Sequence, residues 1–147
     1  MCDAGPVRPT LYDFAGGQAA FLALARAHHE RCLADPELNH PFSHPGQHPQ
    51  HVERLAAYWA ARNQFIDTGR AVRPSPDPSA MLDQVQRPLL AVLKTSPDFR
   101  PAYDPLVLLA RAVAARDPDR GRLLLSELTY VQPARTEAAS ALADVGK

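Results

Sequence analysis

His28, His29, His40, His44, His48 and His51 are the six histidines of this chain, and all of them fall in one stretch, AHHERCLADPELNHPFSHPGQHPQH, residues 27–51. Imidazole coordinates transition metals and haem iron, and near neutral pH it both donates and accepts hydrogen bonds. Two chemistries are therefore open to the cluster. His40, His44, His48 and His51 follow one another at spacings of four, four and three, which supplies enough nitrogen donors for a tetrahedral zinc ion. Pro41, Pro45 and Pro49 oppose the helix that would align those four rings. The alternative to any ligand is a solvated, proline-rich loop. The remaining reactive residue types have ordinary readings. Cys32 lies on an apolar helical stripe and reads as a buried structural thiol. Asp104, Asp117 and Asp119 precede or surround expected helix starts, where carboxylates stabilise exposed backbone N–H groups. No Ser/His/Asp order and no paired carboxylates are present, so hydrolytic catalysis has no support and no catalytic residue is assigned.

Composition narrows the class. The chain has 147 residues, 46% of them hydrophobic, with 16 basic and 16 acidic side chains that cancel. Balanced charge removes the electrostatic footprint of a nucleic-acid binder. No apolar run approaches the roughly 20 residues that span a bilayer, and MCDAGPVRPT lacks the apolar segment of a secretory signal. The two cysteines, Cys2 and Cys32, are too few for a disulfide scaffold or a zinc cage. Their scarcity fits a reducing cytoplasm and a soluble protein.

The elements that must carry these residues are helical throughout. Ala and Leu recur at three- and four-residue spacing and strand alternation is absent, so the expected fold class is all-α. One helix of roughly 17 residues is expected after Gly17, with Phe21, Leu24, Ala25, His28 and Cys32 along one stripe and Pro36 ending it. The prolines of residues 39–49 impose short turns. Helix resumes near Gln50 and runs to Gly69, with His51, Leu55, Tyr58, Trp59 and Arg62 at helical spacing, and Tyr58 and Trp59 are read as core. RAVRPSPDPS then separates two halves, residues 1–69 and 70–147, although one merged helical domain is the other arrangement open. Ser79 is the expected cap of the next helix, which Pro88 should kink or divide. Three further helices follow. A shift of 36 residues lays Leu89 on Leu125, Val92 on Leu128, Pro97 on Pro133, Ala102 on Ala138, Leu106 on Leu142 and Leu109 on Val145. That is the pattern of stacked antiparallel helix pairs, close to the period of about 34 residues in tetratricopeptide repeats.

Two resemblances meet in the chain. Residues 1–61 resemble the truncated globins, most closely the bacterial group II members. The residues that carry the likeness are LYD with its Gly-Gly turn, the helix ending CLADP, the HPFSH corner and HVERLAAYWA, all in order. The resemblance implies a haem-binding, oxygen- or small-gas-binding fold. It places His29 where the family has a polar residue facing iron-bound ligand, Phe42 where an aromatic residue packs on the haem, His51 at the distal helix position and Leu55 one turn further along the same face. The family pattern would continue with a Gly-Gly-Pro and a proximal histidine, and none follows His51. Met81, Tyr103 and Tyr130 are the remaining axial candidates, so the metal ligand is unassigned and haem binding is expected to be impaired. From about residue 58 the chain resembles the tetratricopeptide-like helical tail of bacterial spermidine synthase-like proteins. The Gly-rich nucleotide turn of their catalytic domain is missing. That resemblance implies a non-catalytic interaction module with a protein partner on a concave face of residues 79–145, and a junction near residues 55–63 makes an inactive fusion of the two a third expectation.

Overall fold

The computed structural model describes residues 8–145. Cys2 therefore lies outside the described residues. Among those described there are helices and turns and no strand, so the all-α class expected from periodicity holds. The chain divides between Gln64 and Phe65 into two compact units.

The first unit holds α1 (Leu11–Ala15), α2 (Gly17–Ala34), α3 (Asn39–Phe42) and the greater part of α4 (His51–Ala71). Thr10 caps α1 by accepting the Asp13 N–H, and its hydroxyl returns a hydrogen bond of 2.6 Å to the Asp13 carboxylate. This short helix was not foreseen from the sequence, where LYD reads only as a lead-in. Gly16 then turns the chain at φ 104°, a left-handed conformation that a side chain resists. Asp35 ends α2 by accepting the N–H groups of Glu37 and Leu38, and Pro36 prevents continuation. Phe21, Ala25, Ala56 and Ala60 form a small core, with Tyr12, Leu22, Val52, Leu55 and Trp59 packed around it. Three of its four buried members are alanines, which bury little area per residue. Two expectations fail here. Leu24 and Tyr58 are 55% and 47% exposed, because Leu24 sits one position off the buried Ala25 and Tyr58 sits two positions from both Ala56 and Ala60, on the far face of α4.

The second unit contains α5 (Pro78–Thr95), α6 (Arg100–Ala114), α7 (Pro118–Val131) and α8 (Glu137–Asp144). Short connections make consecutive helices antiparallel neighbours, and α6 also packs on α8. Asp77, not Ser79, caps α5, accepting the Ser79 and Ala80 N–H groups. Pro88 does not divide α5. The missing hydrogen bond is offset by Leu82, Val85, Leu89, Leu90, Val92 and Leu93, all buried from that one helix. Asp117 caps α7 as expected of a carboxylate before a helix. Asp104 is instead the fifth residue of α6 and pairs with Arg100 at 2.9 Å and Arg135 at 3.7 Å.

Of the six pairs related by the 36-residue shift, five are alike in burial, and Leu106 is buried where Leu142 is half-buried. Leu89 and Leu125, and Val92 and Leu128, are all buried, as are Ala102 and Ala138. Ser96 and Gln132, the two buried polar residues among those described, are related by the same shift. The Gln132 amide donates to the Pro97 carbonyl at 2.9 Å and to Asp98 at 2.8 Å, tying the α7–α8 connection to the α5–α6 connection.

Candidate functional site

The sequence brings its ring-bearing residues to one place by ordinary helical means. His28 and His29 sit on the last turns of α2, Phe42 ends α3, and His51 opens α4. The His29 and His51 ring centroids are 5.8 Å apart, and Phe42 lies 6.0 Å from the first and 6.1 Å from the second. Three of the four positions singled out by the globin resemblance thus form a nearly equilateral triangle of rings. The fourth, Leu55, is half-buried and packs on the small core of α2 and α4.

Hydrogen bonding within the triangle is incomplete. His29 Nδ1 and His51 Nε2 are buried and have no hydrogen-bond partner, and no other buried side-chain nitrogen or oxygen among the described residues shares that state. A buried polar atom left without a partner costs on the order of 1–3 kcal/mol, so such atoms mark places where something else satisfies them. Two adjacent rings carrying both orphans make this wall of α2, α3 and α4 the strongest candidate site.

His28 and Trp59 enlarge the aromatic surface, which sequence reasoning missed. The His28 ring meets Phe42 edge-on at 5.7 Å and Trp59 at 5.6 Å, and the buried Cys32 sulfur lies 3.6 Å from His28 Nε2. The spacing of four between His28 and Cys32 on α2 was the available signal. The stripe assignment for His28 is corrected, since its ring is exposed and reaches sideways to the aromatic pair.

The other histidines serve their own turns. His44 Nδ1 accepts the Gly46 N–H at 3.0 Å and His48 Nδ1 accepts the Gln50 N–H at 3.1 Å. His40, in α3, faces His44 across 6.4 Å, and both are exposed. No group of three or more His, Cys, Asp or Glu side chains among the described residues could hold a metal ion, so the four-histidine zinc set is not assembled.

The axial candidates of the second unit are engaged or solvated. Met81 sulfur accepts the Ser75 N–H at 3.2 Å. Tyr103 is fully buried, with its hydroxyl accepting the Ala138 N–H at 3.2 Å. Burial pushes its phenol above the ordinary range, while that backbone hydrogen bond works in the opposite direction. Tyr130 is 87% exposed. A separate groove of about 500 Å³ between α6 and α8 is lined in part by Arg100, Asp104, Leu108, Arg111 and Glu137.

Comparison with family models, curated proteins and solved structures finds no match to this chain. No helix among the described residues is long and apolar enough to cross a membrane.

Set against a haem, the residues present fit one face. Two unsatisfied imidazole nitrogens beside an aromatic ring are what the ligand side of a haem pocket needs. The opposite face has no histidine to supply it after residue 51.

Proposed function

We propose that the protein is a globin-like haem and small-gas binder of reduced affinity, acting in the cytoplasm, with its pocket wall in the first unit. The observation that carries this reading is the pair of orphaned nitrogens, His29 Nδ1 and His51 Nε2, in rings 5.8 Å apart. When bound, haem supplies an iron that takes a diatomic ligand. The chain's contribution is to orient and to shield. His29 and His51 would hydrogen-bond the ligand, Phe42 would pack on the porphyrin, and Leu55, one turn along α4, would close the same face. Reduced affinity follows from the absence of any histidine after position 51 that could supply a proximal ligand.

The test is reconstitution of the full chain with haem, followed by its visible spectrum. A Soret band that saturates at one haem per chain supports the reading. A haem spectrum indistinguishable from that of free haem in the same buffer overturns it.

A second reading has its own support. The shared burial of positions 36 apart and the α6–α8 groove with Leu108 66% exposed favour a helical interaction module that takes a peptide of a protein partner. The full chain and its Leu108→Glu variant, screened against an immobilised peptide library, distinguish this. Peptides retained by the parent and lost by the variant support the module, and a library that retains neither counts against it. If both tests fail, the inactive fusion of two helical parts is the reading left.

A further inference from the structure

The groove between α6 and α8 continues into a second hollow of about 520 Å³, bordered by the start of α7 at Pro118, Asp119 and Arg122. The two hollows meet at Arg111, Ala141 and Asp144, so together they follow one face of α6 from Arg100 to Ala115. At about 1.5 Å per residue that face is roughly 22 Å long, the length of a helix of about four turns. Building on the reading of the second unit as an interaction module, we propose that this face receives an amphipathic α-helix of a partner protein. An acidic side chain of that helix seats on Arg111 and an apolar one on Leu108.

Charge singles out Arg111. Its helical neighbours three and four positions away are Val107, Leu108, Ala114 and Ala115, so α6 itself offers it no acid. The acids around the groove are engaged elsewhere. Asp104 pairs with Arg100 at 2.9 Å and Arg135 at 3.7 Å, Glu137 with Arg135 at 3.7 Å, and Asp119 with Arg122 at 3.5 Å. Asp144 is not free either. The groove's other arginines, Arg100 and Arg122, thus each hold an acid, whereas the exposed Arg111 has no ion pair among the described residues. A guanidinium in that state, where the two hollows join, is matched by a carboxylate brought from outside.

Leu108 supplies the apolar half. It is 66% exposed one turn before Arg111, above a floor of the buried Val107, Ala114 and Ala141. The three-residue step between Leu108 and Arg111 is met by an apolar and an acidic residue three or four apart on one face of the incoming helix. An extended chain fits less well. It would bring unpaired backbone N–H and C=O groups to a groove whose only uncharged polar side chains are Thr136 and Ser140. A helix satisfies its own backbone and presents side chains alone.

The experiment is fluorescence anisotropy of the full chain with helical probe peptides of about 15 residues. Three probes share one leucine stripe and differ at a single central position, which is Glu, Gln or Lys. The parent is expected to bind the Glu probe about 10-fold more tightly than the Gln probe, with the Lys probe weakest. Arg111→Glu should reverse that order so that the Lys probe binds best, a result that loss of fold cannot produce. Leu108→Glu should weaken all three. Equal binding of the Glu and Gln probes by the parent, or an unchanged order in Arg111→Glu, overturns the proposal and leaves the module reading standing. Binding of none of the probes overturns it too, and the module reading is then decided by the peptide library alone. Concentration-dependent dimerisation of the parent in sedimentation, abolished by Arg111→Glu, would assign the groove to a second copy of this chain and overturn the proposal as well.

Discussion

Tyr103 shows how one side chain can hold two helices in register. It comes from α6, is wholly buried, and accepts the N–H of Ala138 in the first turn of α8, while the Arg135 guanidinium lies 5.0 Å over its ring. Tyr103→Phe removes the acceptor and leaves a buried N–H unpaired, at an expected cost of about 1–3 kcal/mol read from a urea midpoint. The raised phenol also fixes a pH dependence. The fold favours the neutral form, so this contribution is complete below about pH 10, the ordinary phenol value, and is lost as pH rises through the higher folded value. The parent should begin to lose stability as pH rises above about 10, and the Phe variant should lose less; equal losses would contradict the assignment. Nothing in the sequence singled out this tyrosine except as an axial candidate, because its role depends on a residue 35 positions away. By contrast His29, Phe42 and His51 were legible through motif order, and their convergence needed only two helix ends and a proline-bound turn.

At the scale of the element, α6 and α7 are locked by a close approach at Gly121. A β-carbon there would stand 2.3 Å from the Ala114 Cβ and 2.9 Å from the Ala110 carbonyl oxygen. In an exposed helix interior, Gly→Ala stabilises by about 1 kcal/mol. Here backbone must move, so Gly121→Ala is expected to destabilise by roughly 1–3 kcal/mol. Gly69 in α4, with nothing within 4 Å of the same built atom, is the matched control and should show the ordinary gain. Thermal melts of both variants decide it, and stabilisation by Gly121→Ala would mean that α6 and α7 are less tightly apposed. Helix existence was readable from Ala and Leu periodicity. Boundaries were readable where Pro or Asp enforces them, as at Pro36 and Asp117. Pro88 misled because a local rule about a lost hydrogen bond was outweighed by six buried side chains of the same helix. The short α1 escaped notice because five residues carry too little periodicity to register.

For the molecule as a whole, core composition differs between the two units. The first is built on alanine with one phenylalanine, whereas the second buries Leu82, Leu93, Leu106, Leu124, Leu125 and Leu128 completely. Each fully buried leucine is worth roughly 1.5–3 kcal/mol and an alanine much less. Amide hydrogen exchange should therefore be slowest in α5, α6 and α7 and fastest through α3 and the turns before α4, and the reverse order would contradict this division of stability. The same contrast bears on function, since a weakly buried wall with two unsatisfied nitrogens is the part of the molecule that a ligand would stabilise most. The most direct measurement is a titration of the full chain with haem, reduced and then exposed to carbon monoxide, in the parent and in the variant carrying His29→Ala and His51→Ala. The account predicts a Soret band saturating at one haem per chain in the parent, shifting with carbon monoxide, and a faster loss of carbon monoxide from the double variant. Absence of a saturable band in the parent, or identical carbon monoxide release from both proteins, would contradict it.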